Sequence, residues 1–414
     1  MDLLRFFTAG NVDDGKSTLI GRLLFDSDSI STDIIETLTR QSKTKGEDTD
    51  LDLALLTDGL RAEREQGITI DVAYKYFTTE KRKFIIADTP GHAQYTRNMF
   101  TGASTADLAI ILIDARNGLT DQTKRHSIIS AILGIPHILV VVNKMDLVNY
   151  DEGVYSQICN DYETFSAKIG LKKVSYIPAS ALAGDNVVKP STKMDWYNGS
   201  SLLQFLEECP ISTEEITSEG RFQVQYVIRP QTTDLHDYRG YAGSVLSGSL
   251  EVGQLVNVYP ADRETRIQRI EKNGADVKLA HAHEAVIIHL EDDLDVSRGS
   301  TIVPANSNAN VDKLLETTIC WMDNKPLQPG QKLIFQQNSF TTKAAVKSLS
   351  GKIDIHSFET SDDDTNLSLN EFGNVTIKTA DDVTFDAFHT NRKTGAFILI
   401  NENTNNTVAA GVIR

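Results

Sequence analysis

The stretch Gly10-Asn11-Val12-Asp13-Asp14-Gly15-Lys16-Ser17-Thr18 decides the fold. It follows an apolar, strand-like run, Leu3-Leu4-Arg5-Phe6-Phe7-Thr8, and leads into an amphipathic segment from Ser17 to Leu24. Strand, glycine loop and helix in that order form the context in which this spacing binds phosphate. Gly10 and Gly15 let the backbone curl so that its N–H groups point at phosphate oxygens. The helix N-terminus adds a partial positive charge. Lys16 is expected to reach the β- and γ-phosphates, and the Ser17 hydroxyl to hold Mg²⁺. The plain alternative is a glycine-rich turn followed by a chance Lys-Ser.

Outward from the loop, near-continuous apolar runs alternate with helical patterns to about Thr217. The runs are Lys83 to Asp88, Leu108 to Asp114, His137 to Asn143 and Val174 to Ala179, with helices expected at Asp121 to Leu133 and Tyr150 to Ile169. Runs of this kind suit parallel strands buried on both faces. The expectation is an α/β phosphate-loop domain with a doubly wound, mostly parallel sheet, binding its ligand at the carboxyl ends of the strands.

Three further motifs fall at those ends. Asp88-Thr89-Pro90-Gly91-His92 places a carboxylate where it can reach Mg²⁺ through a water. The Gly91 N–H can bond a γ-phosphate with no Cβ in the way. His92 stands where a side chain could orient an attacking water, although a lone histidine is more often structural. Asn143-Lys144-Met145-Asp146 selects the base. A carboxylate at Asp146 accepts from both the N1–H and the N2 amino group of guanine, whereas adenine lacks that amino group and carries no N1–H. The Lys144 stem can cover one face of the base. Ser180-Ala181-Leu182 is expected to present backbone N–H groups to guanine O6. The ligand implied is GTP with Mg²⁺. Between these motifs, Arg61 to Asp71 reads either as a surface helix and edge strand or as a segment whose Thr69 closes over Mg²⁺ and the γ-phosphate. Val12 and Ile68 would then form an apolar gate beside His92.

After Pro210 the texture changes to short alternating strands with turn glycines, which reads as two β-barrels. Expected strands include Phe222 to Ile228, Gly240 to Leu246, Leu255 to Tyr259, Arg266 to Glu271 and Ala285 to Leu290. Turns are expected at Gln328-Pro329-Gly330 and Lys393-Thr394-Gly395, and a linker at Ile302 to Asn310. The domain expectation is a GTP-binding domain at 1–217 followed by barrels at 218–305 and 306–414. The acidic run Ser361-Asp362-Asp363-Asp364 reads as a solvated loop.

Composition narrows the class. A net charge of −16 and a pI near 5.0 argue against a surface made to grip nucleic acid or anionic membrane. Three cysteines, Cys159, Cys209 and Cys320, show no Cys-x-x-Cys spacing and suit buried thiols in a reducing compartment. The apolar runs are too short to span a bilayer, and the first strand leaves no room for a signal peptide. A cytoplasmic location is expected.

Together the motifs and the two barrels resemble the translational GTPases, the class of elongation factor Tu. Asp14 stands where that factor usually has His. The likeness narrows at Glu65-Gln66-Gly67-Ile68-Thr69-Ile70-Asp71-Val72-Ala73-Tyr74, Gly91-His92-Ala93-Gln94-Tyr95-Thr96-Arg97-Asn98-Met99 and Ser180-Ala181-Leu182-Ala183-Gly184-Asp185-Asn186-Val187. It continues through Asp237-Tyr238-Arg239-Gly240-Tyr241-Ala242-Gly243, Thr394-Gly395-Ala396-Phe397-Ile398-Leu399-Ile400 and Thr404-Asn405-Asn406-Thr407-Val408. These stretches are similar to the GTPase subunit of bacterial sulfate adenylyltransferase and cover essentially the whole chain. The resemblance implies a heteromeric enzyme, a heterodimer or higher assembly. In it a smaller catalytic subunit joins ATP and sulfate into adenosine 5′-phosphosulfate and pyrophosphate, driven by GTP hydrolysis here. No Ser-Gly-Gly-x-Asp-Ser loop or His-x-x-His motif occurs, so adenylyl transfer is expected on the partner. No second GxxxxGK occurs either, so the fused kinase of some relatives is expected to be absent. The competing expectation is a translation factor carrying aminoacyl-tRNA or a release factor to the ribosome, which shares the fold.

Overall fold

The computed structural model describes residues 2–27, 53, 69, 71–91, 95–171, 173–211, 219–230, 238–354, 360–361 and 366–414. The described residues form two compact units, one ending at Ile211 and the other beginning at Glu219.

The first unit is a six-stranded sheet with helices packed on it. In chain order its elements are β1 (Leu3–Ala9), α1 (Lys16–Asp26), β2 (Ala73–Thr78), β3 (Lys83–Asp88) and α2 (Thr96–Ala103). β4 (Leu108–Asp114), α3 (Asp121–Ile132), β5 (His137–Asn143), α4 (Glu152–Lys168), β6 (Val174–Pro178) and α5 (Leu202–Glu208) follow. The strand order is β2-β3-β1-β4-β5-β6. Every pairing is parallel except β2 with β3, a hairpin in which Ala73 lies opposite Asp88. All seven residues of β4 are buried, because helices cover both faces of a parallel sheet. The core runs through Phe6, Leu19, Ile86, Ile110, Val141 and Leu202.

Two helices start two residues or less from the expected positions, for a local reason. Asp151 accepts from the Val154 N–H at 2.9 Å and caps α4, so the helix starts at Glu152 rather than Tyr150. Thr120 and Thr123 cap the start of α3 reciprocally. β6 stops at Pro178, one residue earlier than expected.

The second unit holds two closed barrels. The first is built from β7 (Arg221–Ile228), β8 (Gly240–Ser247), β9 (Ser249–Glu251), β10 (Leu255–Tyr259), β11 (Arg263–Lys272), β12 (Ala275–Val277), β13 (Leu279–His281), β14 (Ala285–Leu290) and β15 (Thr301–Pro304). Six strands close it in the order β10-β15-β7-β8-β14-β11 and back to β10. The second comprises β16 (Asn310–Trp321), β17 (Lys332–Gln337), β18 (Phe340–Ile353), β19 (Thr360–Ser361), β20 (Phe372–Phe385), a one-turn helix α6 (Arg392–Gly395), β21 (Ala396–Ile400) and β22 (Thr407–Ile413). It closes as β17-β21-β22-β16-β20-β18 and back to β17. Closure pairs the outer strands with each other and removes the exposed edges of an open sheet.

Two expectations here are corrected. Ile302 to Pro304 is strand, not linker, because β15 pairs with both β7 and β10; the connection shortens to residues 305–309. Lys393-Thr394-Gly395 is helical rather than a turn, since Asn391 accepts from the Lys393 N–H at its start. Of the run expected as a solvated loop, Ser361 ends strand β19, and Asp362, Asp363 and Asp364 lie outside the described residues. Among the described residues no helix is long and apolar enough to cross a membrane.

A buried ion pair joins the barrels. Arg221 donates to Asp386 through Nε at 3.0 Å and Nη2 at 2.8 Å, and Thr394 donates to the same carboxylate at 2.6 Å. Deleting one partner of such a pair strands a charge in a poorly solvated place. Asp386→Ala is expected to destabilise this unit by about 3–5 kcal/mol. Urea unfolding followed by the fluorescence of buried Trp321 measures the loss. An unchanged midpoint would show the pair to be dispensable.

Candidate functional site

The site forms at the carboxyl ends of β1, β3 and β5. The phosphate loop leaves β1, and its backbone turns through left-handed conformations at Asp13 (φ 69°) and Gly15 (φ 90°). Gly15 is doubly required, since a Cβ there would stand 2.5 Å from Asn143 Nδ2. No side chain caps α1, and its first helical hydrogen bond is Leu19 N–H to the Gly15 carbonyl. The N–H groups of Lys16, Ser17 and Thr18 therefore precede the helical ladder, available to an anion.

Lys16 is 7% exposed and folds over the loop, donating to the Gly10 and Asn11 carbonyls at 3.0 and 2.9 Å. Burial lowers its pKa, against the pull of Asp88, Asp14 and Asp13. A phosphate group in the loop would give this ammonium a charged partner in place of two carbonyls. Gly91 closes the cradle from the β3 side. A Cβ on it would lie 2.5 Å from Lys16 Nζ and 2.6 Å from the Gly10 carbonyl, so only glycine permits the approach.

Asp88 is almost fully buried and accepts from Thr8 Oγ1 at 3.2 Å. Thr89 is also buried, its hydroxyl held by the Thr8 carbonyl at 2.6 Å, and Pro90 packs beside it. Thr89 is thus a brace rather than a ligand group. Thr69 is described, partly buried, while His92 and Ile68 lie outside the described residues.

Asn143 joins the phosphate loop to the loop that carries Ala181. Its Nδ2 donates to the Asp14 carbonyl at 2.7 Å, and its Oδ1 accepts from the Ala181 N–H at 2.9 Å. Its side chain is therefore engaged with the protein itself. Lys144 reaches the Asp13 carbonyl and pairs with Asp114 at 3.1 Å. Met145 is fully buried in the core, so the residue between Lys144 and Asp146 anchors the loop and does not meet ligand. Asp146 keeps a buried carboxylate oxygen, Oδ1, with no hydrogen-bond partner among the described residues. An acceptor in that condition is costly unless a donor arrives.

The Ser180-Ala181-Leu182 expectation needs revision. The Ser180 N–H is taken by the Asp185 carbonyl at 3.1 Å, and that of Ala181 by Asn143. Among the described residues, only Leu182 of the three keeps an N–H with no internal partner. Arg22 of α1 holds the Ala181 and Leu182 carbonyls and so fixes the loop's orientation.

Several participants carried no recognised signal in the sequence. Asp114 pairs with Lys144 and, in a bidentate contact, with Arg116 at 3.0 and 2.6 Å. Burial would raise its pKa, but the Arg116 and Lys144 hydrogen bonds outweigh that and hold it at about 2. Behind the base loop, Asp185 accepts from Ser191 (2.7 Å), Tyr150 (2.8 Å) and Lys193 (3.2 Å). Asp114 was visible only as an acid at a strand end, and Asp185 only within the stretch after Ser180.

Asp14 gives the site a titratable component. Its carboxylate is 2% exposed and accepts from the Asn11 N–H at 2.5 Å. Burial pushes its pKa to about 6, against the Asn11 hydrogen bond and Lys16, which pull it down. The folded pKa is above the unfolded value of 3.8, so the native state holds more protons between them. Stability then falls as pH rises through that window and levels off above it. Asp14→Asn is expected to flatten this part of the curve, a difference of about 3 kcal/mol. Melting of the nucleotide-free protein from pH 4 to pH 8 tests it, and equal slopes for both proteins would refute the burial argument.

Residues 1–217 match the family described as the elongation factor Tu GTP-binding domain, and residues 314–414 match one described as GTP-eEF1A C-terminal domain-like. The chain is 47% identical over 415 residues to "Sulfate adenylyltransferase subunit 1" of Alteromonas mediterranea, covering 100% of this chain and 87% of that one. It is 47% identical over 412 residues to "Bifunctional enzyme CysN/CysC" of Mycobacterium tuberculosis, covering 99% of this chain and 67% of the other. Among solved structures, the GTPase-like domain of Saccharomyces cerevisiae Ski7, bound to GDP and inorganic phosphate, aligns over 100% of this chain and 97% of its own. The TM-score is 0.53 at 17% identity, a likeness of fold alone. By sequence, the chain belongs to the sulfate adenylyltransferase subunit 1 family, built on a GTP-binding domain of the elongation factor Tu type.

Proposed function

We propose that this chain hydrolyses GTP to drive the formation of adenosine 5′-phosphosulfate from ATP and sulfate on a smaller catalytic subunit. The GTP half rests on one observation above others: the buried, unpartnered Asp146 oxygen at the end of the strand whose Asn143 ties together the phosphate loop and the Ala181 loop. That oxygen is an acceptor awaiting a donor, and guanine offers a pair of them on one edge. The sulfate half rests on likeness over the full chain to relatives bearing that name.

In this reading the Lys16, Ser17 and Thr18 N–H groups and the Lys16 ammonium cradle the phosphates, with Gly10 to Gly15 shaping the loop. Ser17, Thr69 and Asp88 would hold Mg²⁺, which supplies neutralising charge at the β- and γ-phosphates. Asp146 accepts from the base, the Lys144 stem lies against its face, and Leu182 donates to O6. The Gly91 N–H bonds the γ-phosphate, and His92 orients the attacking water. Water adds to the γ-phosphorus, the bond to the β–γ bridging oxygen breaks, and GDP and phosphate result. Loss of the γ-phosphate releases Gly91 and Thr69, and the partner uses that change. On the partner, a sulfate oxygen attacks the α-phosphorus of ATP and pyrophosphate leaves. The assembly works in the cytoplasm, and the chain carries a GTP-binding domain at 1–217 and barrels at 218–305 and 306–414.

Asp146→Asn is expected to exchange guanine for xanthine preference, because an amide donates where the carboxylate accepted. A competition assay with xanthosine triphosphate reads the exchange, and undiminished GTP selectivity would remove Asp146 from the base site. In the co-purified complex, GTP hydrolysis should rise when ATP and sulfate are present together. Stimulation by ribosomes instead would overturn the sulfate assignment.

A further inference from the structure

We propose that Asp114 is a positioning residue of the base site, acting through Lys144 to hold a guanine nucleotide. The inference rests on the reading of Asp146 and Lys144 given above and extends it to a residue outside the Asn143 to Asp146 motif.

Strand register brings the two residues together. β4 and β5 run parallel, and Asp114, the last residue of β4, lies opposite Asn143, the last of β5. The ladder closes just beyond, where the Ala115 N–H donates to the Asn143 carbonyl at 2.9 Å. Lys144 therefore starts from a fixed point next to Asp114. Its own backbone is left-handed, with φ of 64°, a conformation that residues bearing a Cβ adopt at a cost. A lysine kept in that conformation points to a use for its side chain.

The two oxygens of Asp114 have separate tasks. Oδ1 accepts from the Arg116 N–H at 2.9 Å and from Arg116 Nε at 3.0 Å, which closes the turn after β4. Oδ2 accepts from Arg116 Nη2 at 2.6 Å and meets Lys144 Nζ at 3.1 Å. A bidentate guanidinium thus fixes the plane of the carboxylate and with it the oxygen that faces the ammonium. Burial would raise the pKa of this carboxyl, but the Arg116 and Lys144 hydrogen bonds hold it at about 2, so the anion persists across the neutral range. Among the described residues, no other carboxylate pairs with Lys144 or Arg116. Lys144 has a second tie, to the Asp13 carbonyl of the phosphate loop. Its Cα is set by the end of β5 and its ammonium by Asp114 and Asp13, so the methylenes between have little freedom left. A side chain confined in this way loses little entropy when a ring packs against it.

The test titrates the full chain calorimetrically with GDP and with inosine diphosphate, which lacks the amino group assigned to Asp146. Four proteins are compared: the parent, Asp114→Asn, Lys144→Met and the double variant. Asp114→Asn keeps the shape and one acceptor oxygen and removes the charge that draws the ammonium. It is expected to weaken both nucleotides about tenfold, the scale of a lost charge-assisted hydrogen bond. The ratio of the two affinities should stay that of the parent, because Asp146 is untouched. In the Lys144→Met background the same change should cost nothing further, since its effect runs through the missing ammonium. An unchanged GDP affinity in Asp114→Asn overturns the inference. So does a loss of equal size with and without Lys144, which would make Asp114 a brace of the fold alone. Should Asp114→Asn fail to fold, Arg116→Gln, at a half-exposed residue, releases the carboxylate from its clamp. A smaller loss that again vanishes beside Lys144→Met is then expected, and no loss or an additive one overturns the inference. A parent chain that binds neither nucleotide would sink the base-site reading itself, whereas a parent that binds and variants that match it would sink only the role of Asp114.

Discussion

The arrangement of the loops at the ends of β1, β5 and β6 depends on one buried amide. Asn143 must donate to the Asp14 carbonyl and accept from the Ala181 N–H at once, and it does so through one short side chain. An aspartate there would set an acceptor against the Asp14 carbonyl, and a leucine would leave both loop groups unpaired in a buried place. Because both partners are backbone atoms, the amide fixes loops rather than side chains. The phosphate loop and the loop carrying Ala181 are thereby held at a set separation.

Charge at the site is arranged by burial more than by surface pairing. Lys16 is an ammonium kept from water and held by two loop carbonyls, and the pKa of the Asp14 carboxyl is raised to about 6 by the same exclusion of solvent. Asp114 experiences the opposite balance, with the hydrogen bonds from Arg116 and Lys144 outweighing the effect of burial. Lys144 is consequently held from two sides, by the Asp13 carbonyl and by Asp114.

Much of this was legible in the chain because it rests on local pattern. The phosphate loop, the buried parallel strands and the motifs at their ends each have a spacing that only one geometry satisfies, and the strand bounds of β3, β4 and β5 follow directly from the apolar runs. What was not legible depends on contacts between distant segments. The sequence could not say that the Ser180 and Ala181 N–H groups are already taken, since their partners, the Asp185 carbonyl and Asn143, are fixed by the fold of the loop. Nor could it separate Met145, which faces the core, from its partly exposed neighbours Lys144 and Asp146, because a motif records positions and not directions. The strand character of Ile302 to Pro304 was hidden for a similar reason: β15 is short and earns its place by pairing on both sides.

The antiparallel hairpin at the edge of the first sheet has a mechanical consequence. Ala73, where β2 begins, lies opposite Asp88, where β3 ends. The stretch carrying Thr69 and the stretch carrying Gly91 therefore emerge side by side from the same tip of one ladder. The rungs between the two strands hold both in register, so neither can slide along its axis without carrying the other.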